Sequence, residues 1–386
     1  WRSTNNSGIE NMSINIGILG GGNIGTALCV ELTHKGYNVF LYTSKPDSFS
    51  NPVSLIDNDL NVTITERIGS ITSDLRKVFD NCSLIIITMP SNTFVSLNNK
   101  IADYIKKDTK IIVLPGTGGC EYVYKNLIDK GACLIGLQRV PAVYRLKEYG
   151  KIATISGRRK NGLHVSSIPV IDKEELTKLI EELFGLEVHI LKNYLNVTLT
   201  PSNPILHTSR LYSLFGNSDT VESLYPVNPL FYGEWDIESS KNLIACDNEL
   251  QEIKKALFPL DLQEVQSLLV HYDSHDDISL TKKISSIPSL NTLKSPMTET
   301  DKGYKVDYSS RYFTADFPDG IVIIKSIALL CGVHTPMMDK IIFWYQKMID
   351  KVYFIDSKTF GKDIVECNCP QNYGISNLAD FINYYK

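Results

Sequence analysis

An apolar run and a glycine cluster meet in residues 14–25, INIGILGGGNIG. The run has the length of a buried strand, and a helical pattern of apolar residues begins directly after the glycines. Gly20, Gly22 and Gly25 match the GxGxxG fingerprint at this position between strand and helix. Gly20 permits the tight turn, Gly22 lets the backbone approach a pyrophosphate, and Gly25 allows the helix to pack closely on the strand. The unpaired N–H groups of the helix N-terminus would then face the phosphates.

This turn predicts a dinucleotide site, and the alternative is a glycine-rich turn that holds no ligand. The predicted contacts at the turn are Gly20, Gly22, Asn23, Ile24 and Gly25.

Short apolar strands and amphipathic helices alternate over the rest of the first half of the chain. Further strands are predicted at 39–42, 62–64, 84–88, 110–114, 132–137, 152–156 and 187–191. Helices are predicted at 24–35, at 73–80, up to residue 106 and at 173–184. This alternation implies an α/β fold, a Rossmann-type parallel sheet covered by helices on both faces.

After Pro201 the pattern changes to helices joined by polar loops. The helices are predicted at 203–215, 239–257, 261–272, 321–330 and 336–348. A chain of 386 residues suits two domains. We therefore expect an NAD(P)-binding Rossmann domain at 12–198 and an all-α C-terminal domain at 199–386.

The composition excludes several classes of partner. The 39 basic and 43 acidic residues give a net charge of −4, with no basic block that could follow a phosphate backbone, so nucleic acid is not expected. No apolar stretch reaches the roughly 18–20 residues of a membrane span, and residues 1–11 lack the apolar core of a signal peptide. We expect no membrane partner and a cytoplasmic location, with residues 1–11 either a tag or a linker to an upstream domain.

The eight cysteines lie far apart, without the paired spacing of a zinc site. Cys367 and Cys369 form a CxC that could hold a metal or a disulfide, but two loop thiols are the simpler interpretation. We predict no metal site.

Polar residues after the second predicted strand bear on the choice of dinucleotide. An NAD-selective site has an acidic residue there that accepts hydrogen bonds from the ribose 2′-hydroxyl. Thr43, Ser44 and Lys45 occupy this turn, and two hydroxyls with an ammonium suit a 2′-phosphate, so NADP is favoured over NAD. The alternative for Lys45 is a solvated surface lysine. The loops that contain Pro90 and residues 115–119 are expected to border the nicotinamide half.

Hydride transfer to a carbonyl or imine needs a proton donor, and histidine suits that role near neutral pH. His207 lies where the chain enters its second half, although an ordinary helix histidine would also fit the position. Arg311 and Asp316 precede an apolar helix; a carboxylate can fix a histidine tautomer and an arginine can bind carboxylates. The alternative is a surface loop that caps the helix at Ile321.

The sequence resembles the octopine/nopaline dehydrogenase family, the opine dehydrogenases, from residue 14 onward. The resemblance rests on GGGNIG (20–25), QRVPAVYR (138–145), NPILH (203–207), RYFTADFPDG (311–320) and GVHTP (332–336). The first motif is shared by many reductases, whereas NPxxH together with RYFTxDxPxG is much more specific.

The resemblance implies that NAD(P)H reduces the imine formed between an amino acid and a 2-oxo acid, and that these small molecules are the partners. The family's histidine falls on His207 as general acid/base, its aspartate on Asp316 as the residue that holds the histidine, and its arginine on Arg311 as a carboxylate ligand. Arg145 is a further candidate for a second substrate carboxylate. The oligomeric state stays open, with a homodimer as one candidate.

Three positions depart from the family pattern: Ala315 is often acidic, Asp319 is often aromatic, and Tyr144 is larger than expected. These departures bear on the substrate more than on the reaction. Two alternatives stay open, an NADPH-dependent reductase of a 2-oxo or 3-oxo acid and a non-catalytic nucleotide-sensing module. Such reductases typically use a lysine in the helical domain, but Lys241, Lys254 and Lys255 lie in no comparable motif.

Overall fold

The computed structural model describes residues 14–200 and 203–386. The interpretation of residues 1–11, and positions 12 and 13 of the predicted first domain, lie outside the described residues. The strands are β1 (Asn15–Leu19), β2 (Asn38–Tyr42), β3 (Val53–Asp57), β4 (Val62–Glu66), β5 (Ser70–Thr72), β6 (Leu84–Ile87), β7 (Lys110–Val113), β8 (Cys133–Leu137), β9 (Val143–Glu148), β10 (Ile152–Ser156), β11 (Leu163–Ile168), β12 (Val188–Ile190), β13 (Met297–Thr300) and β14 (Gly303–Val306).

The α-helices are α1 (Asn23–His34), α2 (Leu75–Asn81), α3 (Phe94–Ile101), α4 (Cys120–Val123), α5 (Lys125–Asp129), α6 (Lys173–Phe184), α7 (Leu195–Thr198), α8 (Asn203–Phe215), α9 (Ile237–Ala256), α10 (Leu268–His271), α11 (Asp277–Ser285), α12 (Arg311–Thr314), α13 (Val322–Cys331), α14 (Pro336–Met348) and α15 (Leu378–Tyr384). Among the described residues, none of these helices combines the length and the apolar character needed to cross a membrane.

The predicted Rossmann-type sheet is confirmed. Eight strands follow the order β12-β11-β8-β7-β6-β1-β2-β5. The six strands from β5 to β8 are parallel, in the doubly wound order of dinucleotide-binding folds. β11 runs antiparallel to β8 and ends the parallel run. β6 and β8 are buried along their full length, as expected for strands covered on both faces.

The strand order reverses between β1 and β6, where open α/β sheets bind their ligands. The glycine turn leaves β1 and a second loop leaves β6 at this edge. Gly20 has a φ of +121°, which favours glycine, and its N–H donates to the carbonyl of Tyr42 at 3.0 Å. A Cβ on Gly25 would lie 1.7 Å from the carbonyl oxygen of Gly20. Glycine at both positions therefore allows the tight turn and lets α1 pack directly against it.

A second sheet, which the sequence analysis did not predict, has the order β4-β3-β10-β9 and packs on α1. The predicted strands at 62–64 and 152–156 belong to this sheet, so their assignment to the parallel sheet was wrong. β10 alternates between buried and partly buried residues, and β4 is largely exposed. Such one-sided burial is typical of a sheet with a solvated face, not of a central parallel strand.

The second sheet is tied to α1 by a charged cluster. Arg158 donates to the carboxylates of Asp57 on β3 and Glu31 on α1, at 2.8 Å for Glu31. The Asp57 side chain is 1% exposed. Because α1 begins at the glycine turn, this cluster helps to fix the second sheet beside that turn.

The second half is helical, as predicted, with the β13–β14 hairpin as an addition. α9 contacts α8, α11, α13 and α14. The predicted helix at 261–272 was wrong except for α10. Leu262, Val265 and Leu268 have the apolar spacing of a helix and are buried, but the Leu268 N–H donates to the carboxylate of Asp247 at 2.7 Å. The Ser267 side chain caps α10 by accepting from the Val270 N–H at 3.3 Å, so this helix begins at Leu268.

One apolar cluster joins the two halves of the chain. It contains Ile85 and Ile111 from the parallel sheet together with Leu206 and Phe317 from the helical half. The helical half is therefore packed against one face of the sheet.

We predict that Asp57→Asn lowers the free energy of unfolding by roughly 2 kcal/mol, because it leaves Arg158 with one fewer anionic partner in a mostly buried site. Glu148→Gln, which breaks the exposed pair with Lys151, is the matched control and should cost less than about 1 kcal/mol. Urea unfolding of both variants measures the difference. Equal losses would contradict a structural role for the Asp57 cluster.

Candidate active site

A cleft of about 890 Å³ lies over the edge of the sheet where the strand order reverses. Nearly all of the cofactor contacts predicted from the sequence line it: Gly20, Gly22, Asn23, Ile24, Thr43, Ser44, Lys45 and Pro90. Gly25 does not line the cleft and lies below the turn, where it allows the close packing of α1. The arrangement can therefore hold an extended ligand from the glycine turn to the loop after β6.

The backbone at the start of α1 suits a phosphate group. Gly22 occupies the N-cap position, and no side chain caps this helix end. A Cβ built on Gly22 would meet nothing within 4 Å. Open space beside free N–H donors is what a pyrophosphate requires, so these residues fit a dinucleotide. The Asn23 side chain is used differently, since its Oδ1 accepts from the Leu146 N–H at 3.0 Å.

A second cavity, of about 430 Å³, adjoins this cleft and contains His207, Arg311 and Asp316. The residues that line both spaces are Met89, Pro90, Pro115, Val140 and Arg311. Arg311 therefore lies at the junction between the two. We call the first space the cofactor cleft and the second the catalytic cavity.

His207 and Asp316 form a close pair in the catalytic cavity, although 109 residues separate them. His207 lies near the start of α8, and its Nδ1 is 2.7 Å from Asp316 Oδ2. His207 is 8% exposed. The alternative of a surface loop that caps the next helix does not describe Asp316, because its side chain makes no cap hydrogen bond and its carboxylate contacts the imidazole. A histidine held in this way can take or give a proton at its other nitrogen.

Comparisons with known proteins agree with this geometry. Residues 190–349 match the model for NAD/NADP octopine/nopaline dehydrogenase, alpha-helical domain, and residues 15–128 match that for the NAD-dependent glycerol-3-phosphate dehydrogenase N-terminus. Octopine dehydrogenase of Pecten maximus is 28% identical over 395 residues, which cover 95% of this chain and 98% of that protein. A solved octopine dehydrogenase with NADH and L-arginine superposes with a TM-score of 0.85 at 26% identity, covering 97% of this chain and 99% of the other.

The chain is similar over nearly its whole length to octopine dehydrogenases, and its residues 190–349 carry the match to the octopine/nopaline dehydrogenase helical domain. It is thus an NAD(P)-dependent oxidoreductase that acts on CH–NH bonds, and its cofactor is a nicotinamide dinucleotide. The solved NADP⁺-bound yersinopine dehydrogenase shares the fold, with a TM-score of 0.64 at 11% identity, covering 96% of this chain and 97% of the other.

In this opine dehydrogenase fold, Tyr232 also contacts the histidine, a contact that was not predicted from the sequence. Its hydroxyl lies 2.7 Å from His207 Nε2. Burial raises the pKa of Tyr232, which keeps the hydroxyl neutral. The ring of Tyr312 packs on the imidazole with centroids 4.5 Å apart. Tyr232 lies in a loop 25 residues from His207, and no motif marked it in the sequence.

The structure places Arg145 away from the catalytic cavity. The side chain lines the cofactor cleft together with Thr43, Ser44 and Lys45. Arg145 Nη1 donates to the carbonyl of Tyr144 at 2.9 Å. The prediction that Arg145 binds a substrate carboxylate does not fit this position, because the strand β9 that carries it lies in the second sheet beside the glycine turn. Its charge instead faces the cofactor side.

Asp319 adds a carboxyl group to the catalytic cavity. The Asn368 amide donates to Asp319 Oδ1 at 3.2 Å and to the carbonyl of Gly118 at 2.9 Å. Burial raises the pKa of the Asp319 carboxyl to about 7, against a hydrogen bond from Ser91 that lowers it and with Asp316 as a smaller raising influence. These contacts connect the loop after β7 to the helical half.

We predict that Gly22→Ala and Gly25→Ala affect the protein differently. A methyl at Gly22 would enter the space open to the pyrophosphate, so NADPH affinity should fall about tenfold while the thermal midpoint stays close to that of the parent. A methyl at Gly25 would collide with the carbonyl of Gly20, so both quantities should fall. Fluorescence titration and thermal unfolding measure them. Unchanged NADPH affinity in Gly22→Ala would argue against the phosphate site.

Proposed function

We propose that the chain reduces the imine formed from an amino acid and a 2-oxo acid, and catalyses the reverse oxidation, with His207 as the proton donor and acceptor. The single observation that carries this proposal is the pair of His207 and Asp316 in a cavity that meets the cofactor cleft at Arg311. The relatives named octopine dehydrogenase support the same reaction. Arg311 would bind a substrate carboxylate as a bidentate ligand.

The bound dinucleotide would supply the hydride that reaches the imine carbon. Asp316 accepts the hydrogen bond of His207 Nδ1, which fixes the tautomer and stabilises the imidazolium. Before hydride transfer, His207 Nε2 gives a proton to the hydroxyl of the carbinolamine, which leaves as water. The protonated imine that results becomes a neutral secondary amine when the hydride adds to its carbon. In the oxidative direction Nε2 takes the proton back from the water that adds to the imine.

Tyr232 can serve both protonation states of His207. A neutral hydroxyl donates to Nε2 of the neutral imidazole and accepts from Nε2–H of the imidazolium. Tyr232 is 6% exposed, so its hydroxyl gives the imidazole a protein partner in either protonation state. We infer that a polar group of the substrate takes over this hydrogen bond during proton transfer, so that Tyr232 is a positioning residue.

The two alternatives have less support in the geometry. A reductase of a preformed 2-oxo or 3-oxo acid would need a lysine, but no lysine lines the catalytic cavity in the described parts of the chain. Lys254 donates to the carbonyl of Val265, and Lys255 pairs with Glu252. A nucleotide-sensing module would have no use for the buried pair of His207 and Asp316.

We also propose that NADP is preferred over NAD. Lys45 and Arg145 bring two positive charges to one end of the cofactor cleft, beside the hydroxyls of Thr43 and Ser44. A 2′-phosphate would meet both cations, whereas a ribose 2′-hydroxyl would meet no carboxylate among the residues that line the cleft.

Three earlier expectations stay proposals. They are the division into domains at 12–198 and 199–386, the cytoplasmic location and the homodimer. The change from the last strand of the large sheet, β12, to the helices that begin with α8 supports the division into domains.

The proposed reaction predicts that NADPH is oxidised only when an amino acid and a 2-oxo acid are both present.

Asp316→Asn should lower kcat by at least about 100-fold, because the imidazolium loses its carboxylate. Asp301→Asn, in the exposed turn between β13 and β14, is the control and should behave as the parent. Oxidation of NADPH by the 2-oxo acid alone, at the same rate, would favour the alternative reductase.

The proposed cofactor preference predicts that Lys45→Ala combined with Arg145→Ala weakens NADPH binding at least about tenfold and changes NADH binding less than threefold. The double variant would remove the cations and leave the glycine turn intact. Lys77→Ala on the exposed side of α2 is the control. Equal losses for both dinucleotides, measured by titration, would contradict a 2′-phosphate contact.

A further inference from the structure

A side pocket of about 280 Å³ opens from the catalytic cavity on the side away from the glycine turn. The residues that line both the side pocket and the catalytic cavity are Gln138, Arg139, Arg159 and Thr200. His164 on β11 and His271 on α10 line the side pocket alone. A ligand in the catalytic cavity can therefore extend a substituent between the two arginines toward the two histidines.

The lining of the side pocket is strongly basic. It contains Arg139, Arg159, His164 and His271 against the single carboxylate of Glu264. Arg139 and His164 are partly buried, whereas Arg159, His271 and Glu264 are exposed. Over residues 14–200 and 203–386, none of the four basic side chains lies within 4.0 Å of a carboxylate oxygen. Over the same residues, the Arg159 guanidinium makes one hydrogen bond, from Nε to the carbonyl of Val140 at 3.1 Å, so its terminal nitrogens are open to a ligand.

The basic groups repel one another. Burial lowers the pKa of Arg139, and burial followed by the charge of Arg139 lowers that of Arg159. The pKa of His271 is lowered by burial and then by both arginines. For His164, burial, His189 and the two arginines lower the pKa, whereas Glu264 raises it. An anion bound among these groups would relieve the repulsion, and a cation would add to it.

We propose that the side pocket binds an acidic group at the end of a substrate side chain. This inference rests on the proposed function. Arg311 and the space around His207 serve the reacting centre, so a group that reaches His164 and His271 belongs to a side chain. The chain would therefore take a dicarboxylic amino acid or a dicarboxylic 2-oxo acid, and it would discriminate against a cationic amine donor.

Arg139 and Arg159 would set this specificity. Both line the passage into the side pocket, and a guanidinium can bind a carboxylate with two parallel hydrogen bonds. Each is then a specificity-determining residue and takes no part in proton transfer.

The test is a matrix of substrates with NADPH. Alanine, aspartate, glutamate and arginine are each combined with pyruvate and with 2-oxoglutarate, and kcat/KM is measured for every pair. The kcat/KM of the parent protein should be at least about tenfold higher with an acidic substrate than with its neutral counterpart. The acidic substrate is either the amino acid or the 2-oxo acid, and arginine should be the poorest amino acid. The matrix itself shows which of the two substrates carries the acidic side chain.

Arg139→Gln and Arg159→Gln should each reduce this preference at least about fivefold, mainly by raising KM for the acidic substrate. Arg76→Gln, on exposed α2, is the control. Measurements of NADPH affinity and of the thermal midpoint establish that each variant is folded. If Arg139→Gln is unstable, Arg159→Gln still tests the proposal, because Arg159 is exposed and its replacement should not disturb the fold.

Two results would overturn the inference while the proposed function stands. The first is an equal kcat/KM of the parent protein for neutral and acidic substrate pairs. The second is an equal loss of kcat/KM for neutral and acidic pairs in Arg139→Gln and Arg159→Gln. That second result would mean that the arginines bind a carboxylate common to all substrates. If no pair oxidises NADPH, the proposed function fails and the inference with it.

Discussion

The hydrogen bond between His207 and Asp316 joins two segments that are far apart in the chain, and the proposed chemistry depends on it. It forms because the start of α8 packs closely on the turn that precedes α13. A Cβ on Gly320 would lie 2.9 Å from Pro204 Cβ, so this contact leaves no room for a side chain. The same packing brings Arg311 to the junction of the catalytic cavity and the cofactor cleft. A change in the helix packing would therefore alter the proton donor and the carboxylate ligand together.

Charge is distributed along the connected clefts in an order that suits the proposed ligands. Lys45 and Arg145 lie at the cofactor end, Arg311 lies at the junction, and Arg139 and Arg159 lie at the far end. The catalytic cavity also holds the carboxyl groups of Asp316 and Asp319. The positive charges therefore lie where anionic groups of the two ligands are proposed to bind.

Local motifs predicted much of this architecture. Short-range spacing predicted the glycine turn, the alternation of strands and helices, and the helix α8 that carries His207. Three helices begin and end at the predicted residues: α6, α8 and α14. The second sheet was not recognised, because its half-exposed strands lack the continuous apolar runs of the central strands. The helix predicted at 261–272 was wrong before Leu268, where Ser267 caps α10 and the Leu268 N–H donates to Asp247 of α9, two contacts that the apolar spacing does not reveal.

The candidate site was predicted less completely than the fold. The pairing of His207 with Asp316 followed from the family resemblance, whereas spacing along the chain carries no information about a contact over 109 residues. Tyr232 and the side pocket depend on loops brought together only by tertiary packing. Arg145 was assigned to the substrate as the last residue of the QRVPAVYR segment, but β9 lies in the second sheet and Arg145 lines the cofactor cleft.

A crystal structure of the protein with NADP⁺ and a substrate or secondary-amine product would test the central claim most directly. The reacting carbon should lie about 3–3.5 Å from the nicotinamide carbon that carries the hydride. The substrate nitrogen or oxygen should lie about 2.6–3.2 Å from a ring nitrogen of His207, directly or through one water. A nicotinamide ring that lies in the cofactor cleft with the substrate bound beyond reach of His207 would contradict the account.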